Sequence, residues 1–239
     1  MAHENVCSCN TVAQSRSTQE PLISIHNLTF HYERNTKSIL EKLCLTVYQG
    51  AYISVVGENG SGKSTLIKLI LGLLKPSSGS LQCRTKTIGY VPQKKNVVTS
   101  FPITVYETLH SYQMILKSRD TSAIERLLHD MNLADHKNSI IGTLSGGQLQ
   151  KIYIIRALIG NPDLLILDEP STGIDIQSQQ DIYAFIKRLN TENKLTVISV
   201  EHNIDAAVLN STEIFHLVNG CGHLCNPQKY AQEFLPARS

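Results

Sequence analysis

Short apolar runs separated by polar, glycine-containing turns account for most of the sequence after residue 21. Ala51–Val56 and Leu164–Leu167 are almost wholly apolar, which is typical of strands buried on both faces of a sheet. Leu195–Val200 has a similar texture, and the stretches at 22–30 and 39–47 alternate in part between apolar and polar residues. The pattern therefore predicts five strands.

Apolar residues recur at helical spacing after two of these strands. Ser64–Leu74 and Gln177–Asn190 are predicted to be helices, and the Pro-Ser-Ser-Gly sequence at 76–79 ends the first of them. The stretch from about 99 to 138 is also predicted to be mainly helical, and a Ser-x-x-Glu sequence at 122–125 matches a capping box. Strands that alternate with helices predict an α/β fold with a mostly parallel sheet.

Composition excludes several classes of protein. The 239 residues carry a formal net charge of +2, which argues against a protein that mainly coats nucleic acid. Hydrophobic residues make up 41%, which argues against a disordered chain. No uncharged apolar run reaches the roughly 18 residues that a membrane helix needs. Residues 1–20 lack apolar periodicity, so we interpret them as a flexible arm and not as a signal peptide.

The six cysteines are too few for a disulfide scaffold in a chain of 239 residues, and without an export signal reduced thiols are expected. Cys221-x-His223-x-Cys225 would place three side chains on one face of a strand, and such ligands suit Zn²⁺. The alternative is a terminal strand that carries small apolar thiols. Three further residues of the arm could add to a metal cluster: His3, Cys7 and Cys9.

The turn after Ala51–Val56 has the sequence of a phosphate-binding loop. Residues 57–64 read Gly-Glu-Asn-Gly-Ser-Gly-Lys-Ser and match G-x-x-x-x-G-K-[ST]. Small residues let backbone N–H groups close around phosphate oxygens, and the following helix points its positive end at the same anion. Lys63 is expected to reach the β- and γ-phosphates, and Ser64 to bind Mg²⁺. The predicted nucleotide-binding residues here are Gly57, Glu58, Asn59, Gly60, Ser61, Gly62, Lys63, Ser64 and Thr65.

Two acidic residues follow the apolar run Leu164–Leu167. Asp168 lies at the carboxyl end of the predicted strand, where ligands bind in α/β sheets, and it can hold Mg²⁺ or its water beside Ser64. Glu169 can then polarise the attacking water as a general base. The segment therefore has the properties of a Walker B motif, and the phosphate-binding loop upstream disfavours the alternative of a solvated turn.

A second glycine-rich sequence, Leu144-Ser145-Gly146-Gly147-Gln148, separates this chain from other P-loop proteins. Ser145 is a good N-cap, and the two glycines let an anion approach the backbone at the start of the following helix. The sequence therefore predicts a second phosphate-binding helix terminus, formed by Ser145, Gly146, Gly147 and Gln148.

With these three motifs the chain resembles the ATP-binding subunits of ABC transporters, over about residues 22 to 225. The resemblance implies an α/β P-loop NTPase fold of the ABC type, with a RecA-like parallel core, an antiparallel β subdomain and an inserted α-helical subdomain. It implies a flexible arm at 1–20, a nucleotide-binding domain at 21–228 with its helical subdomain at about 99–145, and a tail at 229–239. In that family the signature sequence faces the ATP of a second subunit, so a head-to-tail dimer of this chain is expected.

Further positions match the family in its usual order. Tyr32 matches the aromatic residue that stacks on adenine, and Gln93 matches the Q-loop glutamine that contacts Mg²⁺ and water. Asp175 matches the D-loop, and His202 matches the switch histidine near the γ-phosphate. The resemblance thus implies ATP and Mg²⁺, with catalytic residues Glu169, His202 and Gln93 and metal ligands Ser64, Gln93 and Asp168.

Three positions depart from the usual family pattern. Glu201 precedes His202 where Ser or Thr is usual, and Asn203 follows it where Asp is usual. Lys151 stands where Arg commonly ends the extended signature. Because the residues essential for hydrolysis are all present, an active ATPase is expected and the departures bear on its rate.

Residues 101–107, Phe-Pro-Ile-Thr-Val-Tyr-Glu, are similar to a stretch after the Q-loop of ATPases from zinc and manganese importers, although an ordinary helix start explains the same residues. The resemblance implies a motor that powers divalent-metal import through separate integral-membrane permease subunits, with an extracytoplasmic solute-binding protein. The chain would lie peripherally at the cytoplasmic face of the cell membrane, and no nucleic-acid partner is expected. The alternatives are a different importer, an exporter, or a soluble assembly-type ABC ATPase.

Overall fold

The computed structural model describes residues 20–32, 38–93, 102–118 and 120–234. The chain divides into two compact units. The first unit combines the residues up to Thr85 with those from Ile198 onward, and the second comprises Lys86–Val197. Each unit contains strands that the apolar pattern predicts.

The first unit contains a three-stranded antiparallel sheet in the order β2-β1-β4. Its strands are β1 (Ile23–Phe30), β2 (Leu40–Val47) and β4 (Ser78–Cys83). A β-bulge interrupts the pairing of β1 with β2 between Ile25 and Leu28, and the intervening Asn27 has a φ of 47°. A bulge shifts the inside–outside register by one residue. Ile25 and Leu28 are therefore both buried, which explains why the sequence alternates only in part.

The remaining strands of the first unit carry the phosphate-binding loop. β3 (Tyr52–Val56) is wholly buried and pairs in parallel with β8 (Glu213–Val218), which pairs antiparallel with β9 (Cys221–Cys225). The last residues of β7 (Thr196–Val200) flank β3 on its other side. The helices of this unit are α1 (Lys63–Ile70), α6 (Ile204–Asn210) and α7 (Pro227–Phe234).

The described residues of the second unit form a parallel strand pair and four α-helices. β5 (Ile88–Val91) pairs in parallel with β6 (Leu164–Asp168), and β7 lies on the other side of β6. Gly89 in β5 has no room for a side chain, because a Cβ there would lie 2.3 Å from the carbonyl oxygen of Ala157. The helices are α2 (Val105–Ile115), α3 (Ala123–Asp130), α4 (Gly146–Leu158) and α5 (Ile176–Asn193), with short 3-10 helices at Ala134–His136 and Ile141–Thr143.

Burial explains why the apolar runs form strands. β3, β6 and β7 are buried at every position, as expected for strands covered on both faces. The helix after β3 is predicted to reach Leu74, but it ends at Ile70. Gly72, two residues later, adopts a φ of 70°. A left-handed residue after the last turn closes a helix, since it turns the chain away from the helix axis. Within the described ranges, no helix combines the length and apolar character that a membrane span requires.

The capping box predicted at 122–125 is wrong. The hydroxyl and the backbone N–H of Ser122 both donate to Oδ1 of Asp120, over 2.8 and 3.1 Å. Ser122 consequently makes no side-chain cap bond to α3. An acceptor two residues earlier competes with the helix, which is a common conformation of Asp in turns.

Candidate functional site

The turn between β3 and α1 is built so that only glycine fits at two of its positions. A Cβ on Gly57 would lie 2.2 Å from the carbonyl oxygen of Leu217. Gly62 has a φ of 103°, and a Cβ there would lie 2.7 Å from Cδ2 of Leu40. The loop therefore lies directly on its neighbours, as a phosphate-binding loop requires.

Polar groups of this loop are arranged to receive an anion. Lys63 is 7% exposed, and its ammonium donates to the carbonyls of Gly57 and Glu58 over 2.7 and 2.9 Å. Oγ of Ser61 is buried and has no hydrogen-bond partner among the described residues. Gly62 gives α1 no side-chain cap, and its first turn contains no acidic residue. These features fit a phosphate, which would accept from Ser61 and from the helix N-terminus.

His202 is held between a strand and a helix of the first unit. The N–H of Glu201 donates to the Val55 carbonyl over 3.0 Å, and the buried Glu201 carboxylate accepts from the hydroxyl of Ser199. On the other side, Asn203 caps α6 by accepting from the Ala206 N–H over 3.2 Å. The two unusual neighbours of His202 therefore have structural roles, and His202 itself is exposed.

Tyr32 lies at the end of β1 in the same unit. Its side chain is 42% exposed and packs edge-on against Phe30 with ring centroids 4.9 Å apart. An exposed aromatic face of this kind can stack on a base, since every nucleobase has a π-face.

Asp168 and Glu169 lie at the carboxyl end of β6 in the second unit. Asp168 is 6% exposed. Burial of Tyr90 on β5 raises the pKa of that phenol, and the negative charge of Asp168 adds to this effect. Glu169 has a φ of 53°, a strained conformation for a residue other than glycine, and accepts from the Thr172 hydroxyl over 3.3 Å. A buried carboxylate that is followed by an acidic residue with a strained backbone is typical of a functional site.

The signature sequence forms the N-terminus of α4. The Ser145 hydroxyl accepts from the Gln148 N–H over 3.2 Å, and the Ser145 N–H donates to Oε1 of Gln148 over 2.9 Å. This is a complete capping box, and Ser145 and Gly146 remain exposed beside it. The helix start predicted from the sequence is therefore present and accessible.

Gly147 joins the signature helix to α5. A Cβ on Gly147 would lie 2.1 Å from Oγ of Ser178. Ser178 in turn donates its N–H to Oδ1 of Asp175, the N-cap of α5, over 2.9 Å. Hydrogen bonds from Ser178 lower the pKa of the Asp175 carboxyl, so it stays ionised at neutral pH.

An ion pair that the sequence did not reveal reinforces this contact. Lys151 of α4 is 8% exposed and lies 2.7 Å from the Asp181 carboxylate of α5. The hydrogen bond from Lys151 lowers the pKa of Asp181. Lys151 therefore provides the cation for this pair where the family commonly has Arg. No sequence pattern links Lys151 and Asp181.

Gln93 follows β5 and is exposed. The first residue of the Phe-Pro-Ile-Thr-Val-Tyr-Glu stretch, Phe101, lies outside the described residues, whereas Thr104 and Glu107 form a capping box at the start of α2. The stretch therefore includes an ordinary helix start, as its alternative interpretation requires.

Oxygen ligands suit Mg²⁺, and the side chains of Ser64, Gln93 and Asp168 supply hydroxyl, carboxamide and carboxylate oxygens.

The structure does not support a metal cluster at the C-terminal strand. The expected strand is present as β9, but Cys221 and Cys44 are disulfide-bonded, which corrects the expectation of reduced thiols at these two positions. Cys225 is free, and burial raises the pKa of its thiol. In the described part of the chain, no three metal-binding side chains lie close enough to share an ion. His3, Cys7 and Cys9 lie outside the described residues.

Comparison with known proteins identifies the relatives of this chain. The sequence profile of the ABC transporter family matches residues 40–172. The "Probable metal transport system ATP-binding protein" of Treponema pallidum is 53% identical over 213 residues, which cover 89% of this chain and 90% of that protein. The zinc uptake system ATP-binding protein ZurA of Listeria innocua is 36% identical over 215 residues, which cover 83% of this chain and 82% of that protein.

A solved structure shares the fold. It is a dimeric ATP-binding cassette in a post-hydrolysis state bound to ADP and Pi, with a TM-score of 0.74 and 27% identity. The match covers 86% of this chain and 98% of that one. The predicted fold class is therefore confirmed, and the resemblance stated from the motifs is confirmed with it.

Proposed function

Because this chain belongs to the ABC transporter family and is an ATP-hydrolysing subunit, we propose that it powers the import of divalent metal ions, zinc or manganese. The support for the metal is that relatives 53% and 36% identical are named as metal and zinc transport ATP-binding proteins. The support for ATP as energy source is the phosphate-binding loop, in which the buried Lys63 and Ser61 offer donors to an anion.

The loop residues bind the triphosphate in this proposal. The Lys63 ammonium exchanges its bonds to the Gly57 and Glu58 carbonyls for bonds to phosphate oxygens. The uncapped N–H groups of α1 and the Ser61 hydroxyl supply further donors. Nucleotide binding therefore gives a partner to the Ser61 hydroxyl, which has none among the described residues, and Tyr32 stacks on the base.

Glu169 acts as the general base for the attacking water, and His202 and Gln93 orient that water and the γ-phosphate. Mg²⁺, held by Ser64, Gln93 and Asp168, would neutralise charge that develops on the phosphates. The strained backbone of Glu169 supports this assignment, because strained backbone conformations cluster at functional sites. The reaction needs positioning and charge neutralisation, and no covalent intermediate.

A second copy of the chain completes each site in this proposal. Ser145 and Gly147 present hydroxyl and backbone N–H groups to the γ-phosphate bound by the other copy, in a two-fold arrangement with two equivalent sites. The exposure of Ser145 and Gly146 supports an external ligand. Closure on ATP and opening after hydrolysis then drive a partner.

The partners are integral-membrane permease subunits and an extracytoplasmic solute-binding protein. The chain would be a peripheral protein at the cytoplasmic face of the membrane. The competing functions are a different importer, an exporter and a soluble assembly ATPase. Each of them would make the gene necessary under a growth condition other than metal limitation.

Growth under metal limitation tests this proposal. A deletion strain is grown across a series of zinc and manganese concentrations and is complemented with the wild-type gene or with Glu169→Gln as the matched inactive control. We expect growth to fail only at low zinc or low manganese, and only wild type to restore it. Normal growth of the deletion strain at every metal concentration would contradict metal import.

A further inference from the structure

A histidine outside the motifs contacts the signature glutamine. Nε2 of His136 lies 2.9 Å from Nε2 of Gln148, and Nδ1 of His136 lies 3.4 Å from Oγ of Ser139. Gln148 is the residue whose Oε1 accepts from the Ser145 N–H over 2.9 Å. One side-chain amide therefore links the imidazole to the N-cap of α4.

The donors and acceptors in this chain of bonds favour one tautomer of His136. The Ser145 N–H is a donor, so the Gln148 group that faces it is the carbonyl oxygen. The Gln148 NH₂ group consequently faces His136 and can only donate. Nε2 of His136 must therefore be the unprotonated nitrogen, and its Nδ1 carries the proton toward Ser139.

The backbone holds His136 at this place. Its N–H donates to the Leu133 carbonyl over 3.0 Å, and its own carbonyl accepts from the Ser139 N–H over 3.0 Å. The next residue, Lys137, pairs with Glu125 of α3 over 2.8 Å. Leu133 is only 2% exposed, which anchors the short helix that carries the imidazole.

We propose that His136 is a positioning residue for the signature sequence: its Nε2 lone pair fixes the Gln148 amide, which fixes Ser145 at the start of α4. The inference rests on the proposed role of Ser145 toward the ATP of a second copy. Without the acceptor, the Gln148 amide can rotate and release the Ser145 N–H. His136 touches neither substrate nor reacting atoms, and it acts only through Gln148.

The test uses the full chain with Glu169→Gln as the parent, so that bound ATP is not consumed. We measure dimerisation by analytical ultracentrifugation with MgATP. We also measure the affinity of each variant for a fluorescent ATP analogue, at protein concentrations too low for dimerisation. His136→Phe removes the acceptor and should weaken ATP-dependent dimerisation about 10-fold, the effect of one hydrogen bond. His136→Gln, which can offer an oxygen near the place of Nε2, should restore it to within about 3-fold.

The affinity for the ATP analogue should be unchanged in both variants, since the phosphate-binding loop is intact. Dimerisation of His136→Phe equal to that of the parent would overturn the inference, as would equal weakening by His136→Phe and His136→Gln. A parent that stays monomeric with MgATP contradicts the proposed dimer instead. In that case the tautomer of His136 is the measurement that decides the inference.

Nitrogen-15 NMR of histidine-labelled wild-type protein measures that tautomer, and it needs no variant that could misfold. We expect the neutral imidazole of His136 to carry its proton on Nδ1. A proton on Nε2 would rule out the bond from Gln148 and with it the positioning role.

Discussion

Two helices of this protein begin with glycine-rich sequences, and their N-termini are built in opposite ways. α1 follows Gly62, which supplies no side-chain cap. α4 follows Ser145, which forms a complete capping box with Gln148. The start of α1 therefore has no side-chain cap, whereas two donors at the start of α4 are satisfied by the capping box.

The difference shows how two unlike helix ends can serve one nucleotide. In the proposed function a phosphate completes α1, so α1 would take part in the first binding event. The cap of α4 needs no ligand, so in the proposed dimer α4 would present Ser145 in a preformed arrangement to a nucleotide that another copy has already bound. Variants that alter one helix end and spare the other test this division of roles.

Lys63→Ala should give the largest effect. It removes the cation of the phosphate-binding loop, and ATP hydrolysis should fall about 100-fold or more, because charge neutralisation is the main catalytic contribution in phosphoryl transfer. Lys68→Ala, on an exposed position of the same helix, is the control and should hydrolyse ATP like wild type. Steady-state phosphate release measures both rates, and equal rates would contradict the assigned role of Lys63.

Gly147→Ala should destabilise the protein, whereas Gly146→Ala should not. A Cβ on Gly147 would lie 2.1 Å from Oγ of Ser178, but a Cβ on Gly146 would have no neighbour nearer than 3.6 Å. The forced shift of α4 against α5 should lower the free energy of unfolding by about 1–3 kcal/mol. Urea unfolding of both variants measures it, and equal stability would show that α4 and α5 do not pack as described.

Ser145→Ala and Thr104→Ala each remove a capping box, at α4 and at α2. Each should lower the free energy of unfolding by about 1 kcal/mol. Only Ser145→Ala should also weaken ATP-dependent dimerisation in the Glu169→Gln background, since Thr104 lies outside the proposed nucleotide site. If both variants weakened dimerisation equally, the effect would come from stability and not from contact with ATP.

Asp181→Asn should have the smallest effect and should depend on pH. Lys151 lowers the pKa of Asp181 below its reference value of 3.8, so the pair stabilises the folded state above that value. This stability is lost as the pH falls through the folded-state pKa. Because Asp181 is 35% exposed, we expect at most about 1 kcal/mol at pH 7 and a smaller difference at an acidic pH below 3.8. Unfolding by urea at both pH values measures this, and a difference that did not shrink in acid would contradict the ion pair.

The sequence predicts those parts of the fold and of the candidate site whose residues are adjacent in the chain. The strand before Gly57, the cap at Ser145 and the acidic pair after Leu167 each depend on local spacing and residue type. The helix after Gly62 begins where the motif predicts for the same reason. Its end at Ile70 and the capping of α3 were predicted wrongly, because Gly72 and Asp120 compete locally with the helical pattern.

Contacts between distant residues could not be predicted from the sequence. His136, at the end of a short 3-10 helix, hydrogen-bonds to Gln148 of α4, and Lys151 and Asp181 lie on different helices. The sequence could have predicted β8, because an apolar run there ends at Asn219-Gly220, a sequence typical of a hairpin turn. The disulfide-bonded state of Cys44 and Cys221 depends on tertiary structure and has no local signal.

We propose that α1 of one copy and α4 of another enclose the same ATP. Analytical ultracentrifugation of Glu169→Gln with and without MgATP, beside the double variant Glu169→Gln/Ser145→Arg, tests this claim. We expect Glu169→Gln to double its mass with MgATP, and the double variant to bind the nucleotide with unchanged affinity but remain a monomer. A Glu169→Gln protein that binds MgATP and stays monomeric, or a double variant that dimerises as well as its parent, would contradict the claim.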